Sequence, residues 1–402
     1  IMSQSLVKFL SYGKHSLDED DIAAVIEVLE GNWLTTGPNI EKFEKAFAAK
    51  VNAKEAVVCS SGSAALHLAM LGLQCGPGDA VIVPTQTFLA TADACRYVGA
   101  EVIFSDVDPK TGLMSPKQLE AALLHRGKKV NVKAICVVHL AGQCADLRAL
   151  YAIADREGIP IIEDACHALG AKVHETTIGD CHFSKMATFS FHPVKAICMG
   201  EGGAVTLNDP TMANRLRTLR SHGMNRGETV FQNTDLAFAA DGAQNPWYYE
   251  MSELGFNFRA TDMQCALGLQ QLKKLDYFVE KRRALMKQYS SSLKSLAPLL
   301  KLQKERIGYS AWHLAVVHID FKSLGVSRSE VMKKLQEDGV GTQVHYIPVH
   351  LQPYYMNRYG KFSLPGVETY YASCLSLPLH AQMNLEDVDR VARLLGKICG
   401  VI

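Results

Sequence analysis

The chain has 402 residues, of which 48% are hydrophobic and 21% are charged, a balance typical of a globular protein with room for more than one domain. Its 42 Lys and Arg residues against 41 Asp and Glu residues give a formal net charge of +1, so no concentrated basic surface favours a nucleic-acid or anionic-membrane partner. No apolar run reaches the ~20 residues of a membrane helix, and residues 1–14 lack the features of a signal peptide. We therefore expect a cytoplasmic protein.

Short apolar segments alternate with amphipathic segments through the first two-thirds of the chain. In the first of these, Ile22, Val25, Ile26 and Leu29 recur at the spacing of one helix face. Helices are predicted at residues 19–30, 64–71, 90–97, 116–124 and 147–157, and strands at residues 56–59, 80–83, 102–104, 132–138 and 159–163. This alternation predicts an α/β fold with a mostly parallel sheet covered by helices on both faces.

The pattern changes after a long helical stretch at residues 263–292. Beyond it we predict strands at residues 314–319 and 341–345, and helices at residues 328–338 and 384–399. Asn384 is a natural N-cap for the last helix. The interpretation is a large domain of residues 1–275 followed by a smaller C-terminal α/β domain of residues 276–402.

The eleven cysteines are scattered over the whole chain. No two of them have the C-x-x-C spacing of a structural zinc site or a redox dithiol. We expect buried, reduced thiols and no metal site.

An apolar run at residues 159–163 leads into two carboxylates and a histidine, Glu163, Asp164 and His167. Ligands of α/β sheets bind outside the carboxyl ends of the strands, where an acidic group can hold a cationic partner. Taken alone, the segment is explained as well by a solvated strand end.

A lysine with apolar neighbours, Lys195, precedes the glycine-rich residues 200–203. Burial lowers the pKa of a lysine, and the neutral amine is the form that condenses with an aldehyde. Ser190, five residues earlier, can donate a hydrogen bond to a phosphate. A lone lysine of this kind is more often an exposed loop residue.

Ser61, Gly62 and Ser63 stand where a predicted helix begins. Backbone N–H groups and the helix dipole make such a start an anion site, although a simple N-cap would look the same. In combination, a phosphate cradle, a strand-end aspartate and a loop lysine are what pyridoxal 5′-phosphate (PLP) requires. Phe88 can then stack on one face of the cofactor ring, and His167 can cover the other.

Several motifs carry a resemblance to a known family. They are Trp33–Pro38, Ser61–Ser63, Glu163–His167, Ser190–Lys195 with Gly200–Ala204, Ser221–Gly223, Gly255–Arg259, Val344–Tyr346 and Ser376–Leu379. With these motifs the chain resembles, over nearly its whole length, the DegT/DnrJ/EryC1/StrS sugar aminotransferases. The resemblance implies the aspartate-aminotransferase-like fold of fold-type I PLP enzymes, with a large sheet domain and a smaller C-terminal α/β domain.

The resemblance also implies roles for single residues. Lys195 holds the cofactor as a Schiff base and transfers the proton, Asp164 pairs with the pyridine nitrogen, and His167 packs on the ring. The phosphate is bound by Ser61, Gly62, Ser63 and Ser190, and by Asn257 of a neighbouring subunit, which implies a homodimer with shared active sites.

Four residues are assigned to the substrate, namely Thr35, Trp247, His345 and Tyr346. For two of them another interpretation stays open. His345 is equally well a satisfied core histidine, and Trp247 is as readily a packing or loop-anchoring residue as a sugar contact.

The implied reaction moves an amino group from glutamate, through pyridoxamine phosphate, to a keto sugar for a bacterial surface polysaccharide. The motifs are closest to transaminases of the pseudaminic acid route, which act on a UDP-linked 4-keto-6-deoxy-N-acetylhexosamine. Residues 85–91 depart from that branch, so a C8-keto octulosonic acid, aminated to 8-amino-3,8-dideoxy-manno-octulosonate for lipopolysaccharide, is the alternative. A PLP-dependent dehydratase is disfavoured because such relatives replace the lysine by histidine, and the intact motifs disfavour a non-catalytic PLP-fold regulator.

Overall fold

A computed structural model describes residues 9–125, 130–227 and 229–402. The strands in these ranges are β1 Glu55–Cys59, β2 Asp79–Pro84, β3 Glu101–Ser105, β4 Asn131–Val138, β5 Ile161–Asp164, β6 Lys172–Val173, β7 Thr176–Thr177, β8 Met186–Ser190, β9 Gly203–Leu207, β10 Met224–Asn225, β11 Glu250–Met251, β12 Leu300–Leu302, β13 Ala315–Ile319 and β14 Cys374–Leu377. The α-helices are α1 Glu19–Glu30, α2 Pro38–Val51, α3 Gly62–Gly72, α4 Leu89–Tyr97, α5 Pro116–His125, α6 Leu147–Arg156, α7 Pro210–Arg220, α8 Thr234–Ala237, α9 Asp262–Lys273, α10 Leu275–Ser292, α11 Phe321–Leu324, α12 Arg328–Glu337, α13 Pro353–Tyr359, α14 Pro365–Ser373 and α15 Leu385–Ile398. Short 3₁₀ helices lie at Leu140–Gly142, Lys294–Leu296 and Val349–Leu351.

A seven-stranded sheet organises the larger part of the molecule, in the order β1-β9-β8-β5-β4-β2-β3. The neighbours from β8 to β3 pair in parallel, whereas β9 pairs antiparallel with both β8 and β1. The predicted α/β fold with a mostly parallel sheet is therefore confirmed.

Both faces of this sheet are buried, which is why its strands are continuous apolar runs. On β5, Ile161 packs into a cluster with α2, α5, α6 and α9, and the next residue, Ile162, packs into a cluster with α3, α4 and α7. The side chains alternate because successive residues of a strand point to opposite faces.

A second sheet, β12-β13-β14, is antiparallel and lies in the C-terminal part of the chain. Its core includes residues of α10, α12 and α15, and Asn384 caps α15 by accepting a hydrogen bond from the Asp387 N–H at 2.8 Å. Helix α10 contributes Leu275 to the core of the large sheet and Tyr289 to this second core. The division of the chain at residues 275 and 276, at the start of that helix, stays a prediction.

Two predicted elements differ from the structure. The helical stretch expected at residues 263–292 is present but divides at Lys274 into α9 and α10, and the Lys274 ammonium group binds Asp18 and Asp21. The strand expected at residues 341–345 is a single bridge between Gln343 and Ser376. The sequence of one short segment cannot show whether a partner strand of matching length lies beside it.

All eleven cysteines are free thiols; ten are buried and Cys166 is partly buried, as the sequence predicted. No helix in the described ranges combines the length and the low polarity that crossing a membrane requires.

Candidate active site

A cavity of about 610 Å³ lies at the carboxyl ends of β4, β5 and β8. Ten of the predicted site residues line it: Ser61, Gly62, Ser63, Phe88, Asp164, His167, Ser190, Lys195, His345 and Tyr346. They come from segments up to 285 residues apart in sequence (61 to 346), and the fold brings these segments together around one cavity.

One wall of the cavity is the N-terminus of α3. Ser61 is the N-cap of this eleven-residue helix and accepts a hydrogen bond from the Ala64 N–H at 3.1 Å. A Cβ atom on Gly62 would lie 2.7 Å from Cβ of Ser190, so only glycine lets the Ser190 side chain approach the start of the helix. Free N–H groups with two or three hydroxyls beside them form a cradle of the kind that binds a phosphate.

The Asp164 carboxylate is buried at the end of β5, with 6% of the residue exposed. Its Oδ2 accepts a hydrogen bond from the Thr91 hydroxyl at 2.7 Å, and its Oδ1 accepts one from the Cys166 N–H at 3.2 Å. Each carboxylate oxygen can accept more than one hydrogen bond, so acceptor capacity is left for a cationic group in the cavity.

Lys195 lies in the loop after β8 and keeps partial exposure to the cavity. Removal from water lowers the pKa of its ammonium group, and the Cys166 and Asp164 side chains oppose that shift only in part. A lysine with a lowered pKa is the better nucleophile toward an aldehyde.

The imidazole of His167 is buried over the same cavity. Its Nδ1 accepts a hydrogen bond from the Ala141 N–H at 3.3 Å, and its Nε2 lies 3.0 Å from the Tyr346 hydroxyl. Burial, reinforced by the positive charge of Lys195, holds the pKa of His167 well below its usual value, so the ring is neutral.

His345 joins the site from the C-terminal part of the chain. Its Nδ1 lies 2.8 Å from the Ser376 hydroxyl, and its carbonyl oxygen accepts a hydrogen bond from the Gln86 side chain at 2.9 Å. Burial lowers the pKa of His345 to about 3. The residue is therefore a hydrogen-bonded buried histidine that also forms a neutral part of the cavity wall, and its role toward the substrate stays a prediction.

Three predicted residues do not line this cavity. Thr35 pairs with Thr261, Asn257 pairs with Ser221 on the outside of the protomer, and Trp247 is 74% exposed. Asn257 was assigned to the site of a neighbouring subunit, so its place outside its own protomer's cavity leaves that role a prediction. The roles of Thr35 and Trp247 likewise stay predictions.

Sequence reasoning missed several residues of the cavity, among them Tyr12, Thr91 and His313. A signal existed for Thr91, because Thr87 and Thr91 stand one helical turn apart in the segment that departs from the expected family pattern, and their hydroxyls lie 2.7 Å apart. Tyr12 and His313 reach the site only through tertiary structure.

A second cavity, of about 640 Å³, lies beside α2 and α7 and has a strongly charged lining. Two of its three arginines are already neutralised, since Arg217 binds Glu44 and Glu55 at 3.0 and 2.9 Å and Arg220 binds Glu44 at 2.7 Å. Its two lysines, Lys45 and Lys54, are exposed, and no aspartate is among the described residues that line it, so the first cavity is the candidate active site.

Comparison with known proteins agrees with this geometry. Residues 15–395 match the DegT/DnrJ/EryC1/StrS aminotransferase family. The chain is 37% identical over 393 residues to the spore coat polysaccharide biosynthesis protein SpsC of Bacillus subtilis strain 168, and the match covers 97% of each chain.

Solved structures are similar as well. The Helicobacter pylori aminotransferase PseC, involved in the biosynthesis of pseudoaminic acid, matches with a TM-score of 0.87 and 27% identity, over 98% of this chain and all of its own. Spr1654 of Streptococcus pneumoniae, solved in a PLP form and in a PMP (pyridoxamine phosphate) form, matches with a TM-score of 0.85 and 25% identity. The two matches cover 98% of this chain and 100% and 98% of those two chains, respectively.

The fold and the cavity are those of a PLP-dependent transaminase. The chain belongs to the DegT/DnrJ/EryC1/StrS aminotransferase family, and the enzymes of this family use PLP.

Proposed function

We propose that the protein transfers an amino group from glutamate to a keto sugar used for a bacterial surface polysaccharide. The observation that carries the proposal is the convergence of the α3 start, Asp164 and Lys195 on one cavity. The similarity to SpsC and PseC, whose names refer to polysaccharide and pseudoaminic acid biosynthesis, supports a sugar as the acceptor. For the acceptor itself we propose a UDP-linked 4-keto-6-deoxy-N-acetylhexosamine.

The residues of the cavity fit the cofactor. The hydroxyls of Ser61, Ser63 and Ser190 and the free N–H groups of α3 would hold the phosphate, and Asp164 would hold the pyridine nitrogen in its protonated form. When it is bound, PLP supplies an electron sink for the carbon that carries the amino group.

The lysine has two tasks on this proposal. Its Nζ would hold the cofactor through its aldehyde, and the freed amine would move a proton to or from the substrate carbon. A lysine whose pKa is lowered by burial is suited to both tasks, because its amine is readily neutral between the two transfers.

The substrate side of the cavity is neutral. Burial lowers the pKa values of His167, His313 and His345, and it raises the pKa of the Tyr346 hydroxyl, so all four groups are uncharged hydrogen-bonding partners. Such groups can exchange hydrogen bonds with the hydroxyl and keto oxygens of a sugar ring.

A homodimer is part of the proposal. Asn257 lies on the outside of the protomer, and exposed apolar side chains follow the chain around it, including Trp247 at 74%, Met251 at 63% and Leu254 at 75% exposure. We propose that this region packs on a second copy and carries Asn257 to the partner's phosphate site.

The proposal is tested by the visible absorbance of the PLP-loaded protein. We expect glutamate to bleach the band of the bound cofactor and the UDP-linked 4-keto sugar to restore it. Restoration by the C8-keto octulosonic acid instead would change the substrate and keep the transaminase. Absorbance that no amino donor alters would contradict amino transfer.

Lys195→Ala is the matching variant. We expect it to bind PLP through the phosphate site and Asp164 but to lose turnover by several orders of magnitude, because no other amine lines the cavity among the described residues. Lys185→Ala is the control, since Lys185 is exposed and bound to Asp209 at 3.2 Å, away from the cavity. Turnover by Lys195→Ala at the level of this control would refute the role of Lys195.

A further inference from the structure

A strained turn lies between β4 and α6, at the edge of the active-site cavity. Ala141 has φ 62° and Gly142 has φ 86°, and the left-handed region costs an ordinary residue about 1 kcal/mol. A Cβ atom on Gly142 would lie 2.6 Å from the backbone nitrogen of His313, so only glycine fits there.

The segment before β13 holds this turn in place. The His313 N–H donates to the Ala141 carbonyl oxygen at 2.8 Å, and the Ala311 N–H donates to the Gly142 carbonyl oxygen at 3.0 Å. Backbone strain persists only where the surrounding contacts hold it, and it is concentrated at functional sites.

The turn directs the backbone N–H of Ala141 at a histidine of the active site. The Ala141 N–H can only donate, so Nδ1 of His167, 3.3 Å away, must be the acceptor and cannot carry a hydrogen. Because the pKa of His167 is well below its usual value, the ring is neutral and its one hydrogen is on Nε2. Nε2 therefore donates to the Tyr346 hydroxyl oxygen at 3.0 Å.

This direction of donation leaves the hydroxyl hydrogen of Tyr346 uncommitted. Within the described part of the chain no acceptor for it is present, although the residue lines the cavity. Burial raises the pKa of this phenol well above its usual value, so the hydrogen stays on the oxygen.

The His313 ring completes the arrangement. It packs on His167 with ring centroids 4.3 Å apart at 44°, is itself 93% buried, and lines the same cavity. Its Nδ1 is buried and has no hydrogen-bond partner in the described ranges. His313 competes for neither of the hydrogen bonds of His167, and its ring packing holds the imidazole where Nδ1 reaches the Ala141 N–H.

We propose that His313 and the Ala141 turn form a positioning relay that fixes His167 as its Nε2–H tautomer and thereby makes Tyr346 a hydrogen-bond donor to an oxygen of the keto substrate. The substrate part rests on the proposed function, whereas the tautomer part does not. His313 acts through His167 and is a positioning residue.

The tautomer is tested directly by nitrogen NMR of the PLP-loaded protein labelled with ¹⁵N-histidine. The His167 signals are identified by their loss in His167→Gln. We expect Nδ1 to resonate as an unprotonated acceptor and Nε2 as a protonated nitrogen, and we expect His313→Gln to give a mixture of tautomers. A protonated Nδ1 in the wild-type protein would overturn the relay, whatever reaction the protein catalyses.

The donor role is tested by a double-mutant cycle on the half-reaction in which the keto sugar restores the cofactor absorbance. We expect His313→Gln and Tyr346→Phe each to slow this step about tenfold, roughly the effect of one hydrogen bond. Because both act through one relay, the double variant should be little slower than Tyr346→Phe alone. Losses that multiply to about 100-fold would show independent roles and overturn the relay.

A matched control comes from the same strand region. His318 is a partly buried histidine of β13 that binds Ser373 at 2.8 Å and does not line the cavity. We expect His318→Gln to stay within about twofold of the wild-type rate and to combine multiplicatively with Tyr346→Phe. A wild-type protein that glutamate does not bleach would instead contradict the proposed function, and the NMR result would still decide on the tautomer.

Discussion

Two neighbouring carboxylates on β5, Glu163 and Asp164, have opposite surroundings. Both residues are buried, with 1% and 6% exposure, and both precede the same loop. Because successive strand residues point to opposite faces, Glu163 lies on the side of Ile161 and the α2 cluster, and Asp164 on the side of Ile162 and the α3 cluster.

The Glu163 carboxylate is hydrogen-bonded on both oxygens by neighbouring side chains. Nδ1 of His139 accepts a hydrogen bond from the Ala145 N–H at 3.1 Å, so its Nε2–H donates to Glu163 Oε2 at 3.0 Å. The Ser184 hydroxyl donates to Oε1 at 2.5 Å. Both oxygens are satisfied by the protein, and neither faces the active-site cavity.

Asp164 has a similar number of protein donors but opens into the cavity. The comparison teaches that burial and a conspicuous motif do not by themselves distinguish a functional carboxylate from a structural one. What distinguishes them is acceptor capacity that remains unused and is directed at a space that a ligand can enter.

Two amide replacements test this distinction with the largest expected effect. On the proposed role, Asp164→Asn removes the charge that keeps the ring nitrogen protonated, and we expect turnover to fall about 10³-fold with little change in stability. Glu163→Gln should keep turnover within about threefold and cost about 2 kcal/mol of unfolding free energy, because a buried charge-assisted hydrogen bond is weakened. Turnover and urea unfolding, measured on both variants, check the pair.

Two results would contradict the different roles of Glu163 and Asp164. A Glu163→Gln protein that is fully folded but inactive would place the closed carboxylate in the reaction. An Asp164→Asn protein with the wild-type rate would show that the open carboxylate does not act on the cofactor.

Acid should destabilise the folded protein through His345, which lies in the wall of the active-site cavity. The pKa of His345 is about 3 in the folded chain, below the ordinary value of about 6.5. As the pH falls below about 6.5, the unfolded chain takes up a proton that the folded chain refuses, so stability present above that pH is lost on the way down to about pH 3. The contribution is about 1.4 kcal/mol per pH unit for one such group.

His345→Asn isolates this effect, because the amide oxygen can replace Nδ1 as the partner of the Ser376 hydroxyl. We expect the unfolding free energy of the apo protein between pH 6 and pH 5 to fall by about 1.4 kcal/mol less in the variant than in the wild type. Equal slopes in the two proteins would show that His345 is protonated in the folded state.

The residues assigned to the cofactor could be expected to meet at one cavity, because each of the segments that carry them has a local sequence pattern. A strand that ends on Asp164, a helix that starts at Ser61 and a loop that carries Lys195 are each encoded within a few residues. The topology of a parallel sheet then brings strand ends to one edge, so their order along the chain sufficed for the prediction.

The residues assigned to the substrate could be predicted only in part from sequence, because their positions depend on contacts between distant segments. Tyr346 was named through the family resemblance, but its bond to His167 spans 179 residues. The backbone of His313 is hydrogen-bonded to a strained turn at Ala141, and no local sequence pattern predicts an alanine in the left-handed region. The strand expected at residues 341–345 was wrong for the same reason, because the extent of its pairing with Ser376 depends on tertiary structure.

The smallest expected effects come from the two hydroxyls that each donate to one of the two carboxylates. Thr91 donates to Asp164 at 2.7 Å and Ser184 donates to Glu163 at 2.5 Å. Thr91→Val keeps the shape of the side chain, and Ser184→Ala removes little more than the oxygen. Each change deletes one hydrogen bond to a carboxylate, and Thr91→Val also removes the 2.7 Å contact with the Thr87 hydroxyl. Each lost hydrogen bond should cost about 1–2 kcal/mol of binding or unfolding free energy.

We expect the two costs to appear in different measurements. Thr91→Val should weaken PLP binding or slow turnover about tenfold, because Asp164 loses a donor that orients it toward the cavity. Ser184→Ala should lower the unfolding free energy by about 1 kcal/mol and leave turnover unchanged, since its carboxylate has no contact with the site. If both variants lost stability alone, the Thr91 bond would be structural, and the open carboxylate would be oriented by the Cys166 N–H without it.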